Sequence, residues 1–399
     1  MTMRMGSANL FDNTLVKLSS RQAGLADLQE KLSAGKRVLH ASDDPAGAAQ
    51  AERALTRSTR VQTEQRALGL QRNAVATAES TLGDATSALQ TLRDLVVSAG
   101  NPTMSPANRS SIAQQITGLR DQLFGYANKQ DSNGIPLFGG LGSSGAPFTD
   151  AASGVVFNGI AGQRASTAVS IPGLMDGQSV WMDVPTGNGV FTVGLNGTNT
   201  GSTWTDVGQV INPAALTGHN YTLSFQVAAG VTTYSVTDTT SASTVATAQP
   251  YVDGKAIVFD GLSFTAHGVP ANGDSVQLAP STRTDLFNIL DSAINSINNA
   301  TAPGHLITQA TTLALTQIDA GMSRVQSARG QAGDLLNRAD TIDNNQRSKT
   351  QQLAADRSRA EDMDMVQGIS DFQNQQTGYD AALKTYAQVQ RLSLFNYLS

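Results

Sequence analysis

Side chains that could carry out a reaction are present in this chain, but their spacing argues against a reaction centre. Its four histidines, His40, His219, His267 and His305, are scattered. None has a second histidine or a carboxylate at a spacing that recurs in metal sites, which need closed sets of ligands. Asp43-Asp44 could serve as a carboxylate pair in acid–base work. Standing just before Pro45, however, the pair reads as helix-capping residues, with Ser42 or Asp43 as the expected cap. Gly140-Leu-Gly-Ser-Ser-Gly145 fits the dinucleotide fingerprint as a pattern, yet no helix is expected after it and no βαβ unit surrounds it. It reads as a linker. Gly35-Lys36 and Gly254-Lys255 lack the phosphate-loop spacing, and no Gly-x-Ser-x-Gly element sits at a strand-to-helix turn. The absence of cysteine removes disulfides, thiolate metal ligands and cysteine nucleophiles together. The expectation is therefore a protein that is not an enzyme and carries no metal or cofactor.

The bulk chemistry narrows the partners. Against 32 acidic residues the chain has 27 basic ones, a net charge of -5, so nothing suggests a basic face for nucleic acid. No apolar run approaches the roughly 18 residues of a membrane span, and membrane insertion is not expected. The first twenty residues hold no apolar core of signal-peptide length. A chain of this kind that leaves the cell is expected to do so without a cleaved signal peptide.

The chain instead carries strong patterning in its secondary-structure elements. Leu18, Leu25 and Leu32 recur every seven residues, with Leu15 and Leu28 beside them. Val61, Leu68, Val75, Leu82, Leu89 and Val96 keep the heptad for six steps, with Ala78, Ala85 and Leu92 at the companion position. Sustained heptads predict long helices packed as in a coiled coil. Asn101-Pro102 should end that helix and Ser105-Pro106 should start the next. Near the other end, Leu315, Ile318, Met322 and Val325 resume the pattern, and Met365, Ile369, Phe372, Tyr379, Leu383, Tyr386 and Val389 share one stripe.

Between these zones the chemistry changes. Residues 137–282 hold both tryptophans and 21 of the 37 glycines, with eight Asp, Arg164 and Lys255 but no Glu, a composition of turns rather than helices. Tyr221 to Val227, then Ala-Ala-Gly, then Val231 to Val236 reads as paired strands. Ile257–Phe259, Asp260-Gly261 and Leu262–Phe264 is a two-residue hairpin signal. The predicted fold class is α+β and multidomain: a long-helix, coiled-coil-like bundle made from both chain ends, with an inserted β-rich domain. The expected divisions are 1–45 and 356–399 as inner-core helices, 46–136 and 283–355 as the two halves of the bundle, and 137–282 as the outer insert. An insert obliges both ends to return to the same helical region, so the terminal helices should lie side by side.

Four stretches then resemble the flagellin family of axial flagellar proteins. Lys31-Leu-Ser-Ala-Gly-Lys-Arg-Val38 with Ala41-Ser-Asp-Asp-Pro-Ala-Gly-Ala48 is similar to the family's N-terminal signature. Asp131-Ser-Asn-Gly-Ile-Pro-Leu-Phe-Gly-Gly140 resembles its exit from the helical domain, and Gly268-Val-Pro-Ala-Asn-Gly-Asp274 its return strand. The ending, Tyr379 to Leu398, resembles the family's hook–filament junction members more than filament flagellin. The resemblance covers both ends well and the insert loosely. It implies a structural subunit of the extracellular flagellum, exported by the type III route with a flagellar export chaperone. The implied neighbours are the first hook-associated protein, flagellin, and copies of itself in a ring. Subunit contacts are expected at Leu18, Leu25, Leu32, Phe372, Tyr379, Leu383, Tyr386, Leu392 and Phe395. Filament flagellin is the alternative within the class. A surface adhesin is the alternative outside it, with Trp181 or Trp204 in the insert as a binding platform, although both read more readily as core residues.

Overall fold

The computed structural model describes residues 7–143, 145–299 and 303–397, with side chains from Asp12 to Gln388 within those spans. Among the described residues there are six α-helices: α1 (Ser7–Ala34), α2 (Pro45–Ala99), α3 (Pro106–Ala127), α4 (Leu286–Asn298), α5 (Gly304–Glu361) and α6 (Met365–Tyr397). Between α3 and α4 the described residues form thirteen short strands: β1 (Phe148–Ala151), β2 (Gly154–Phe157), β3 (Val184–Pro185), β4 (Phe191–Leu195), β5 (Trp204–Thr205), β6 (Gln209–Val210), β7 (Tyr221–Ala228), β8 (Val231–Asp238), β9 (Ser243–Pro250), β10 (Ala256–Phe259), β11 (Leu262–His267), β12 (Ser275–Pro280) and β13 (Arg283–Thr284). The fold class is the one the patterning predicts. The chain forms two compact units, residues 67–342 and residues 1–66 with 343–399. The boundary falls inside α2 and inside α5.

In the larger unit the heptad residues of α2 are sealed: Leu68, Val75, Leu82, Leu89 and Val96 are all buried, as are Ala78, Ala85 and Leu92. They meet Ile318, Val325, Ala332 and Ala339 of α5 within one apolar core. Arg72–Asp340, Glu79–Arg329 and Arg93–Asp319 bridge the two helices, and the descending partner numbers make them antiparallel. Each half-exposed pair contributes about 0–1 kcal/mol, whereas each buried Leu or Val contributes about 1.5–3 kcal/mol. The apolar seam therefore holds the helices, and the ion pairs set their register. Ser105 caps α3, accepting from the Asn108 N–H at 3.2 Å.

The insert divides between two cores. Leu137, Phe138, Phe148, Ile171, Met175 and Trp181 join the helical core, where the Trp181 ring stacks on Phe287 of α4 and meets Phe138 edge-on. A five-stranded sheet, β4-β12-β7-β8-β9, and a smaller one built on β10 and β11 enclose a separate core around Tyr221, Leu223, Phe225, Phe264 and Leu278. Both predicted hairpins are present. Asp260 and Gly261 have φ of 41° and 77°, and Ala229 and Gly230 have 51° and 77°, the left-handed pairs that two-residue hairpins demand. The insert's acidic excess is largely spent on its own turns. Asp206 accepts from the Gly208 and Thr265 N–H groups, and Asp274 from Thr200, Gly201 and Ala271. Burial alone would raise the Asp238 carboxyl, but hydrogen bonds from Ser241, His219 and Thr240 hold it well below the usual carboxylate range.

Arg120 is the one buried cation among the described residues. It reaches Asp150 of β1 and bridges both oxygens of Asp291 of α4 at 3.1 and 3.2 Å. Its guanidinium also lies 5.8 Å from the Phe124 and Phe287 rings. One side chain thus ties the first helical segment, the insert and the second helical segment together, and its hydrogen bonds to Asp150 and Asp291 favour the charged guanidinium against the cost of burial.

Candidate assembly surface

The smaller unit is built from α1, the start of α2, the end of α5 and α6. Its organising feature is a clasp between residues 35–44 and 360–363. Helix α1 ends because Gly35 turns left-handed, φ 69°, with the Lys36 N–H returning to the Lys31 carbonyl at 3.1 Å. This is a glycine-terminated helix end. The freed chain then pairs with the exit of α5. The Arg37 N–H donates to the Glu361 carbonyl at 2.8 Å and the Met363 N–H to the Gly35 carbonyl at 3.0 Å, making an antiparallel bridge between Lys36 and Asp362.

Charged side chains lock this bridge. Arg37 donates to Asp44 and to the Ala360 carbonyl, each at 3.0 Å, and Lys36 lies 3.3 Å from Glu361. The cap of α2 is Asp44 rather than the expected Ser42 or Asp43. Asp44 accepts from the Ala46 and Gly47 N–H groups, because Pro45 at the first helical position puts the preceding residue at the cap. Asp43 instead accepts from Leu39 and His40. Backbone hydrogen bonds, from Gly47 to Asp44 and from His40 to Asp43, lead the causes that hold both carboxyls below their ordinary value. Gly47 is buried, and a Cβ there would stand 3.1 Å from the Ala360 carbonyl. The Asp-Asp-Pro-Ala-Gly run therefore caps a helix and admits α5 beside it.

Helices α1 and α6 pack antiparallel. Gly24 faces Gln375, Gly368 lies under Leu32, and Gly378 lies under Arg21. Leu18, Leu25 and Leu32 of α1 are half-buried, as are Phe372, Tyr379 and Tyr386 of α6, while Leu383 is 38% exposed. Leu392 and Phe395 lie on α6 where the structure describes no side chains. Outside the seam stand Leu15, Val16, Met365, Val366 and Ile369, with Val16 68% and Val366 81% exposed. A two-helix pair buries only a narrow stripe, and here much of its apolar surface faces solvent. Sequence reasoning missed the clasp partners Glu361, Asp362 and Met363.

Elsewhere two of the histidines weighed for chemistry have structural partners. His219 Nδ1 lies 2.6 Å from Asp238, and His267 stacks on Trp204 at 4.3 Å. Trp181 is core, but of the helical region and not of a small β-domain, and Trp204 is half-buried. Among the described residues no helix is long and apolar enough to cross a membrane.

Comparison with known proteins agrees with this arrangement. Residues 8–143 match the bacterial flagellin N-terminal helical region, and residues 315–398 match the bacterial flagellin C-terminal helical region. Flagellar hook-associated protein 3 of Salmonella typhimurium is 36% identical over 154 residues, 38% of this chain and 48% of that protein. The chain thus spans about half of that relative. Flagellar hook-associated protein 3 of Escherichia coli is 25% identical over 98% of this chain and 99% of its own length. The crystal structure of the flagellar junction protein FlgL from Legionella pneumophila superposes with a TM-score of 0.68 at 30% identity, covering 73% of this chain and 99% of that one.

Proposed function

This chain belongs to the flagellin family, in the branch of hook-associated protein 3, and from that premise we propose that it joins the hook-associated zone of the flagellum to the flagellin filament. Its relatives are structural flagellar proteins, and the chain is a structural component of the flagellum. The observation that carries the finer reading is the clasped terminal pair. The Arg37 N–H on the Glu361 carbonyl ties the turn after α1 to the exit of α5, just ahead of α6, while Val16, Met365, Val366 and Ile369 stay open to solvent. Burying such side chains gains about 25 cal/mol per Å², so the ends are adhesive surfaces completed by other subunits.

The contacting set is Leu18, Leu25, Leu32, Phe372, Tyr379, Leu383, Tyr386, Leu392 and Phe395. The first hook-associated protein lies on one side, flagellin on the other, and copies of the chain in a ring between them. An export chaperone covers the ends before assembly, and the chain reaches the cell exterior by the flagellar type III route. Residues 1–45 with 356–399 form the inner core, 46–136 with 283–355 the surrounding bundle, and 137–282 the outer surface. Deleting the gene and viewing the cells by electron microscopy tests this. Hooks without filaments, with unpolymerised flagellin in the medium, are the expected result; filaments of normal length would overturn it.

A further inference from the structure

The charge of the chain is unevenly shared. Residues 1–66 and 343–399 hold 16 basic and 14 acidic side chains, while residues 67–342 hold 11 and 18. One unit is weakly positive and the other carries a net charge of -7. Within the positive unit, Arg53, Arg57 and Arg60 follow one another at i, i+4 and i+7 on α2, which places them on one face. All three are exposed. Arg60 pairs with Glu64 at 3.0 Å, but among the described residues neither Arg53 nor Arg57 has an ion-pair partner. Their face lacks the apolar side chains a core would need, and Val61 of the same helix points elsewhere and is buried.

The negative unit has a matching excess. Arg120 is the single cation among Asp121, Asp150 and Asp291, and Asp285 feels the charge of Asp291. Arg120 is hydrogen-bonded to Asp150 and Asp291 and lies 3.5 Å from Asp121, so three carboxylates share one guanidinium, and Asp121, with its side chain 68% exposed, faces outward.

We propose that the Arg53–Arg57–Arg60 face of α2 is a docking surface for a second copy of this chain, whose Asp121-bearing acidic surface it meets. The contact is heterologous: one patch meets a different patch, so it propagates around a ring instead of closing as a two-fold dimer. Exposed charge of this kind contributes modest affinity, but it steers encounter and fixes register. It also weakens with salt, because the screening length falls to about 8 Å near physiological ionic strength. The inference rests on the reading that copies stand side by side in the flagellum.

The absence of cysteine makes a direct test possible. Arg57→Cys and Asp121→Cys chains, each able to restore motility alone, are co-expressed in cells lacking the native gene. Intact flagella are then treated with a short bismaleimide. A cross-linked pair containing one of each variant is expected, while either variant alone should give none. Arg53→Glu with Arg57→Glu should reduce incorporation at least tenfold, and Asp121→Arg in the same chain should restore part of it. If both cysteine variants assemble and motility returns but no mixed pair forms, the docking surface is wrong and the junction reading stands. If the gene deletion leaves filaments intact, the junction reading itself fails.

Discussion

Replacing Arg120 with Met removes the cation that joins α3, β1 and α4 while keeping an apolar stem among Phe124 and Phe287. Breaking a fully buried ion pair costs about 3–5 kcal/mol. Here the guanidinium is buried, with 8% of the side chain exposed, but Asp150 and Asp291 are 42% and 40% exposed. Water can rehydrate both carboxylates, so the cost falls to about 2–3 kcal/mol. For a unit of this size that lowers the melting temperature by roughly 4–10 °C. Trp181 stacks on Phe287, so its fluorescence in a Trp204→Phe background reports this region directly. Adding Asp150→Asn and Asp291→Asn should recover at least half of the loss, because the stranded charges are then gone. A shift under 1 °C in Arg120→Met, or further destabilisation by the two Asn substitutions, would refute the reasoning.

The pH dependence follows from the same carboxylates. Hydrogen bonding from Arg120 holds Asp150 below its ordinary value, and backbone N–H groups do so for Asp44 and Asp43. Between the lowered native value and the unfolded value near 3.9 the unfolded chain binds more protons. Stability from these groups is therefore present above about pH 4 and lost as pH falls through their native values, which melting scans from pH 2 to 7 will show. Asp285 has the opposite sign, since burial raises its carboxyl. Asp285→Asn keeps the cap on Asn288 and should raise the melting temperature at pH 7 while changing little at pH 3. Gly118 and Gly125 sit inside α3 with open space where a Cβ would stand. Gly118→Ala and Gly125→Ala should each stabilise by about 0.5–1 kcal/mol in denaturant titrations. Leu32→Ala with Phe372→Ala should barely change the melting of the larger unit but should lower the number of filaments per cell seen by microscopy.

The helical framework was legible because its signal is local and repeated. Every step from Val61 to Val96 is buried, as a seven-residue period requires of one helix face, and the two hairpins announced themselves through residues that tolerate positive φ. The clasp was not legible. Arg37 and Glu361 are 324 positions apart, and a backbone hydrogen bond leaves no mark on side-chain pattern. The Asp44 cap was misread because Ser42, Asp43 and Asp44 are all capable caps and only the position of Pro45 separates them. The division of the insert between two cores was hidden for a similar reason: Trp181 and Trp204 look alike in sequence, but one packs against Phe287 and the other lies half-open against His267. Of the expected contact residues, those from Leu18 to Tyr386 fall on half-exposed stripes of α1 and α6.

The proposed junction role requires terminal helices whose apolar faces are completed by other subunits. Amide hydrogen exchange across residues 12–34 and 365–388, measured in the free chain and again in isolated flagella, tests this most directly. Weak protection is expected in the free chain, rising by at least tenfold on assembly while residues 67–99 stay strongly protected in both. Equal and strong protection of both terminal helices before and after assembly would contradict it.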